Sequence, residues 1–137
     1  MLHLYQQINS QIEEQIDFNN SIEAACKWVE EYSSWDETLI IVTADHETGY
    51  LVGPGSNKSK SEIISETWQP IVNNGKGQLP TVEWHSRDHT NSLVPFYAKG
   101  IGSSKFLDVI KGLDVVRGKY IDNSDIGLII SKFMKDK

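Results

Sequence analysis

The chain has 137 residues, about one domain by the usual size of roughly 100–200 residues. Its 39% apolar and 23% charged residues are those of an ordinary globular protein, and no apolar run approaches the roughly 20 residues of a membrane helix. The net charge of −6 argues against nonspecific nucleic-acid binding, which leans on Lys and Arg neutralising phosphates, but leaves room for a small anionic substrate beside a bound metal.

One folded unit over 1–137 is therefore expected, with no membrane span and no nucleic-acid partner. The one cysteine, Cys26, permits no internal disulfide and says little about redox compartment. Met1 to Asn9 lacks the basic start, apolar middle and small-residue cleavage site of an export signal.

In chain order, Ile8, Ile12 and Ile16 are spaced by four and predict a helix with one weak apolar stripe over residues 1–16. Asp17 is the expected N-cap of a second helix, whose buried face is Ile22, Ala25, Cys26 and Val29. Ser33-Ser34-Trp35-Asp36 ends it. Leu39 to Val42 follow as four apolar residues without polar alternation, the pattern of a central strand buried on both faces of an α/β sheet. Helix, short loop and buried strand read as half of a parallel-sheet crossover. Ligands bind beyond the carboxyl ends of such strands, where Asp45 and His46 fall.

Leu51-Val52 is a candidate short strand before the turn residues Gly53 to Asn57. Residues 53–80 read as a loop-rich excursion with a short helical turn around Glu62 to Trp68, and segments of this length inside domains are usually functional or mobile. Thr81 to Trp84 is strand-like, and Leu93 to Gly100 is a further strand placed by Pro95 at an edge or near its start. Lys105 to Ile110 allow a short helix, and Gly112 to Lys119 a loop. Asp122 or Asn123 caps a final helix with Asp125 in its first turn, apolar residues Ile126, Ile129, Ile130 and Phe133 on one face, and Lys132 and Lys135 near its end.

The candidates for chemistry are few. A carboxylate and an imidazole side by side at a strand end, Asp45 and His46, are good zinc ligands at about 2.0–2.2 Å, but such a pair also serves as a cap or surface turn. His89 lies in a second polar turn before an apolar strand. With it the chain holds three of the ligands that a binuclear zinc hydrolase needs, in which metals about 3.5–4 Å apart clamp the oxygens of a phosphoryl transfer. His85 stands four residues before His89, a spacing that shares a face only on a helix, so a polar loop role is expected. Arg87 reads as a solvated loop residue, Ser92 and Ser124 lack a recognisable base partner, Glu47 and Thr48 are expected to shape the turn, and the four tryptophans are core or core-edge residues.

These motifs carry a resemblance. Thr43-Ala44-Asp45-His46-Glu47-Thr48-Gly49, with His89-Thr90 and Val94-Pro95, resembles the C-terminal part of the alkaline phosphatase family. Ile12 to Phe18 and the helix after it resemble the segment before that family's metal-binding strand, and Asp122 to Ile126 its terminal helix, so nearly the whole chain is covered. The Asp-His dipeptide alone would also fit sulfatases, nucleotide phosphodiesterases and cofactor-independent phosphoglycerate mutases.

The resemblance implies the C-terminal part of an alkaline-phosphatase-like α/β sheet with flanking helices, lacking the N-terminal half. It implies that Asp45 and His46 hold one zinc and His89 another, and that a serine attacks the phosphorus of a phosphate monoester to form a phosphoseryl intermediate. That serine, the phosphate-clamping arginine and the magnesium carboxylates of the family have no counterpart in this sequence. Nor does the remaining Asp-x-x-x-His zinc pair: His3 is near its register, but Met1 leaves no place for the Asp, so His3 is not assigned.

Two expectations follow. One is the zinc-contributing portion of a magnesium- and zinc-dependent phosphatase, inactive in isolation. The other is a non-catalytic α/β fragment or pseudoenzyme that binds metal or associates with other chains. Self-association or a homodimer is expected through a strand edge left open. Intact family members usually work in the periplasm or outside the cell.

Overall fold

The computed structural model describes residues 2–56 and 68–135, with side chains from residue 8 onward. In chain order its elements are helix α1 (Leu2–Tyr32), strands β1 (Leu39–Thr43), β2 (Glu47–Thr48), β3 (Leu51–Val52), β4 (Glu83–Trp84), β5 (His89–Thr90) and β6 (Phe96–Gly100), a 3-10 helix (Ser103–Val109), strands β7 (Gly112–Asp114) and β8 (Gly118–Tyr120), and helix α2 (Asn123–Lys135). The helical turn expected near Glu62 falls almost wholly outside the described residues. No described helix is long and apolar enough to cross a membrane.

Helices and strands are both present, as expected, but they are not arranged around one sheet. The described strands form four two-stranded pairs, β1–β6, β2–β5, β3–β4 and β7–β8, all antiparallel. The parallel crossover read from the sequence is thus replaced by an antiparallel pairing. Thr43 lies opposite Phe96, so the chain leaves β1 and enters β6 at the same end, and the two strands must run in opposite directions.

The two expected N-terminal helices are one. Between Leu2 and Tyr32 there is no Gly or Pro to interrupt the helix. A contact one turn apart bridges the region where a break was expected, Gln15 Nε2 donating to Asn19 Oδ1 at 2.9 Å, and farther along Lys27 pairs with Glu23 at 2.6 Å. Asp17 is therefore a mid-helix residue and not the first residue of a second helix. Of the expected apolar face, Val29 is buried, Ile22 and Cys26 are partly covered, and Ala25 is exposed.

The chain divides into two compact units, residues 1–20 with 46–92, and residues 21–45 with 93–137. In the second, β1 and β6 pair along five residues, from Leu39 with Gly100 to Thr43 with Phe96. Alternation along β6 covers Phe96, Ala98 and Gly100 more than Tyr97 and Lys99. Leu39 to Val42 are all half-buried, because β1 has one hydrogen-bonded neighbour and not the two of a central strand. At the far end of the pair, Gly100 has φ 107° and its backbone packs on Thr38, where a Cβ would sit 1.9 Å from the carbonyl oxygen. Lys99 lies 3.9 Å from the centre of the Trp35 ring and 3.7 Å from Glu30.

Phe106 of the 3-10 helix and Ile129 of α2 form this unit's core together with Val29. Gly112 to Lys119, expected as a loop, instead belong to the β7–β8 hairpin, which ends at Tyr120. Asp114 Oδ1 accepts the N–H groups of Val116 and Arg117 and so shapes the turn, which Gly118 closes at φ 88°. An open cleft of about 710 Å³ runs beside β6, lined by Phe96, Phe106, Ile110, Tyr120, Arg117 and Lys119 among others.

In the first unit, β2–β5 and β3–β4 are successive pairings of the same two chain segments, Glu47–Val52 against Glu83–Thr90. Tyr50 and Val52 are its buried hydrophobic residues. The start of the expected excursion, 53–80, is tied to Gln69 within it: Gly53 N–H donates to the Gln69 carbonyl, Gln69 N–H donates to Ser56 Oγ, and the Ser56 hydroxyl donates to the Gly53 carbonyl. No side chain fits at Gly53, since a Cβ there would lie 1.9 Å from the Pro70 carbonyl oxygen.

Candidate functional site

The antiparallel register decides which side chains meet. Thr48 lies opposite His89 and Glu47 opposite Thr90, and directly opposed residues point to the same face of a ribbon. Side chains alternate along a strand, so His46, two residues before Thr48, is set to join Thr48 and His89, while Glu47 and Thr90 share the other face.

Both faces are used. On the first, the imidazoles of His46 and His89 lie with ring centres 3.8 Å apart, inclined at 56°. Thr48 Oγ1 is 3.3 Å from His46 Nδ1 and 3.0 Å from His89 Nδ1, and His46 Nδ1 is 3.3 Å from the Glu47 carbonyl oxygen. On the second face, one Glu47 carboxylate oxygen accepts the Tyr50 N–H and the other accepts the Thr90 hydroxyl. Glu47 thus binds its own strand and the opposite one.

The strands on either side of the site differ in length. Gly49 and Tyr50 face the four residues from His85 to Asp88, so the ribbon bulges immediately after Thr48. Gly49 has φ 82°, and a Cβ there would lie 2.4 Å from the Trp84 ring. Tyr50, at φ 45°, is the one described non-glycine residue with positive φ. Its buried ring and its N–H bond to Glu47 hold that conformation, while the Gly49 carbonyl accepts the N–H groups of His85 and Ser86.

Of the three expected metal ligands, the structure brings His46 and His89 together, both exposed. Asp45, also exposed, is the last residue of its segment in the other unit, just past the end of β1. Among the described residues no three His, Cys, Asp or Glu side chains gather where they could hold a metal ion. The donor set is thus a neighbouring pair of imidazoles. That pair suits zinc chemically but is short of the three or four protein ligands zinc takes.

His85 sits in a loop, as expected, but its side chain is only 16% exposed, packed edge-on to Tyr50 with ring centres 6.0 Å apart. Its Nε2 is buried with no hydrogen-bond partner among the described residues, 3.8 Å from a Glu83 carboxylate oxygen. Arg87 is exposed. Ser124 donates its hydroxyl to Asp122, which places it in the α2 cap and away from nucleophilic chemistry. The side chain of His3 lies outside the described residues.

No protein family, curated protein or solved structure matches the chain. The likeness to alkaline phosphatases accordingly rests on the motif residues themselves. Thr48 is the site residue that sequence reasoning assigned only to turn shape. Its position two residues after His46 on a strand was the available signal. Its pairing with His89 was not, because the unequal bulge between the strands fixes that register.

Proposed function

We propose that this polypeptide contributes part of a metal-dependent phosphoryl-transfer site acting on phosphate monoesters, with His46, His89 and Asp45 as its metal-binding residues. The observation that carries this reading is the meeting of His46, just before β2, with His89 of β5, their ring centres 3.8 Å apart. Two imidazoles on one exposed face suit neighbouring zinc ions of a binuclear site, His46 with Asp45 for one and His89 for the other. Zinc held there would stabilise charge on phosphoryl oxygens.

This chain's own residues would bind and orient. His46 and His89 supply nitrogen donors, Thr48 holds both rings by Nδ1, and Glu47 locks the two strands that carry them. The nucleophilic serine, the further zinc ligands and the magnesium carboxylates of the alkaline phosphatase pattern would have to come from polypeptide outside this sequence. The resemblance in the motif Thr43 to Gly49, with His89-Thr90, supports that assignment.

The test is zinc titration of the chain followed by calorimetry, alongside turnover of an aryl phosphate with zinc and magnesium added. Zinc binding that weakens at least about tenfold in both His46→Ala and His89→Ala is expected, of the size lost when a metal shell is disturbed. Turnover above background is not expected from the chain alone. Binding that ignores both substitutions would overturn the metal assignment. Turnover that disappears in Asp45→Ala would show that the chain holds a working site by itself.

A further inference from the structure

A hydroxyl group has one hydrogen to donate and two lone pairs to accept with. Thr48 Oγ1 lies within hydrogen-bonding reach of Nδ1 on both His46 and His89. It cannot donate to both, so one of these nitrogens carries a proton and donates to the hydroxyl. The Glu47 carbonyl decides which. It lies 3.3 Å from His46 Nδ1 and can only accept. His46 Nδ1 therefore faces two acceptors and is the N–H. Of the two ways to complete the set, donation by the Thr48 hydroxyl to His89 Nδ1, the shorter of its two contacts, keeps the hydroxyl hydrogen bonded inside the cluster, whereas a second N–H on His89 does not.

We propose that Thr48 is a positioning residue that holds the two histidines in opposite tautomers in the metal-free chain. His46 carries its proton on Nδ1 and presents a lone pair at Nε2. His89 carries its proton on Nε2 and presents an N–H there. The hydrogen-bond chain runs one way, from His46 Nδ1–H to the Thr48 oxygen and from the Thr48 hydroxyl to His89 Nδ1.

The consequence for metal binding rests on the reading of these residues as ligands; the tautomers themselves do not. Ligation by His46 at Nε2 requires no proton to move. Ligation by His89 at Nε2 requires its proton to move from Nε2 to Nδ1, with no net loss of protons. Thr48 then turns its hydrogen away and accepts from both Nδ1–H groups with its two lone pairs. Valine has the shape of threonine but can neither donate nor accept.

The experiment is imidazole nitrogen NMR on the 15N-labelled, metal-free chain, at a pH where the nitrogen shifts themselves report neutral rings. His46→Gln and His89→Gln spectra assign the signals. In the unsubstituted chain His46 should show a protonated Nδ1 and an unprotonated Nε2, and His89 the reverse. Thr48→Val should move His89 toward a mixture of tautomers, and Thr48→Ser should restore the original pattern.

Two rings in the same tautomer, or a Thr48→Val spectrum unchanged from the original, would overturn the proposal. Should Thr48→Val fail to fold, the unsubstituted chain and Thr48→Ser decide it alone. Zinc added to the same sample separates the two readings. A His89 signal that switches to Nδ1–H upholds both, whereas opposite tautomers that zinc leaves untouched uphold the role of Thr48 and sink the metal assignment.

Discussion

Glu47 has each carboxylate oxygen on a different strand, one on the Tyr50 N–H and one on the Thr90 hydroxyl, so its loss strips two hydrogen bonds and leaves their donors to find other partners. Glu47→Ala should destabilise the chain by about 1–3 kcal/mol, the scale for hydrogen bonds to a charged group, measured as a lower urea midpoint. Gly49→Ala should do more than its one carbon suggests. The left-handed backbone at φ 82° is strained for alanine, and the new Cβ would overlap the Trp84 ring, so a shift in tryptophan emission should accompany lost stability. From sequence, the chemistry-bearing residue types and the His46-x-Thr48 alternation could be read. The double role of Glu47 could not, because it depends on Thr90 being its cross-strand neighbour.

At the level of single elements, α2 shows a start signal and its structural completion. The sequence pointed to Asp122 or Asn123 as cap with Asp125 in the first turn. In the structure Asp122 Oδ1 accepts both the N–H and the hydroxyl of Ser124, while Asp125 Oδ2 accepts the Asp122 N–H, a reciprocal cap of the capping-box kind. Asp125 is also buried and receives Lys111 Nζ at 3.1 Å, a partner no local pattern discloses because it stands 14 residues earlier. Asp125→Ala should cost about 1–3 kcal/mol through the lost cap and the lysine left without its partner, seen as a fall in helical circular dichroism on mild heating.

The cap also has a pH dependence. Hydrogen bonds from Ser124, with a smaller part from Lys111, hold the Asp122 carboxyl below its ordinary value of 3.8, and the Arg117 and Val116 N–H groups do the same for Asp114 at the hairpin turn. A carboxyl depressed by folding stabilises the folded state above its unfolded value, and that contribution is lost as the pH falls through the lower folded value. The α2 cap and the β7–β8 turn should therefore hold at neutral pH and weaken only on acidification past 3.8, with the Ser124 and Val116 amide resonances moving together with the loss. The hairpin itself escaped sequence reading because Val115, Val116 and Arg117 at its turn are not turn formers. The Asp114 side chain and Gly118 do that work from either side.

Across the whole molecule, the largest difference between sequence and structure lies at β1. Four apolar residues without alternation read as a strand covered on both faces, and the structure gives that strand one neighbour and half-burial. A two-stranded pair with an apolar run at its open edge invites another strand. Leu107, Leu113 and Val115, all well exposed in the same unit, add apolar surface. Self-association at micromolar concentration is the expected outcome in sedimentation equilibrium, and a strictly monomeric mass would count against it. The presence of both helices and strands, the terminal helix and the strand entering after Pro95 were legible in the sequence. Strand pairing was not, since it depends on where distant segments return.

The knot of hydrogen bonds joining Gly53, Ser56 and Gln69 has a practical corollary. Ser56 and Gln69 stand side by side, so three hydrogen bonds fasten this end of the ribbon that carries His46 and His89. A single methyl group at Gly53, pressed against the Pro70 carbonyl, should therefore unfasten it, and faster hydrogen exchange at the Gly53 and Gln69 amides would register the loss.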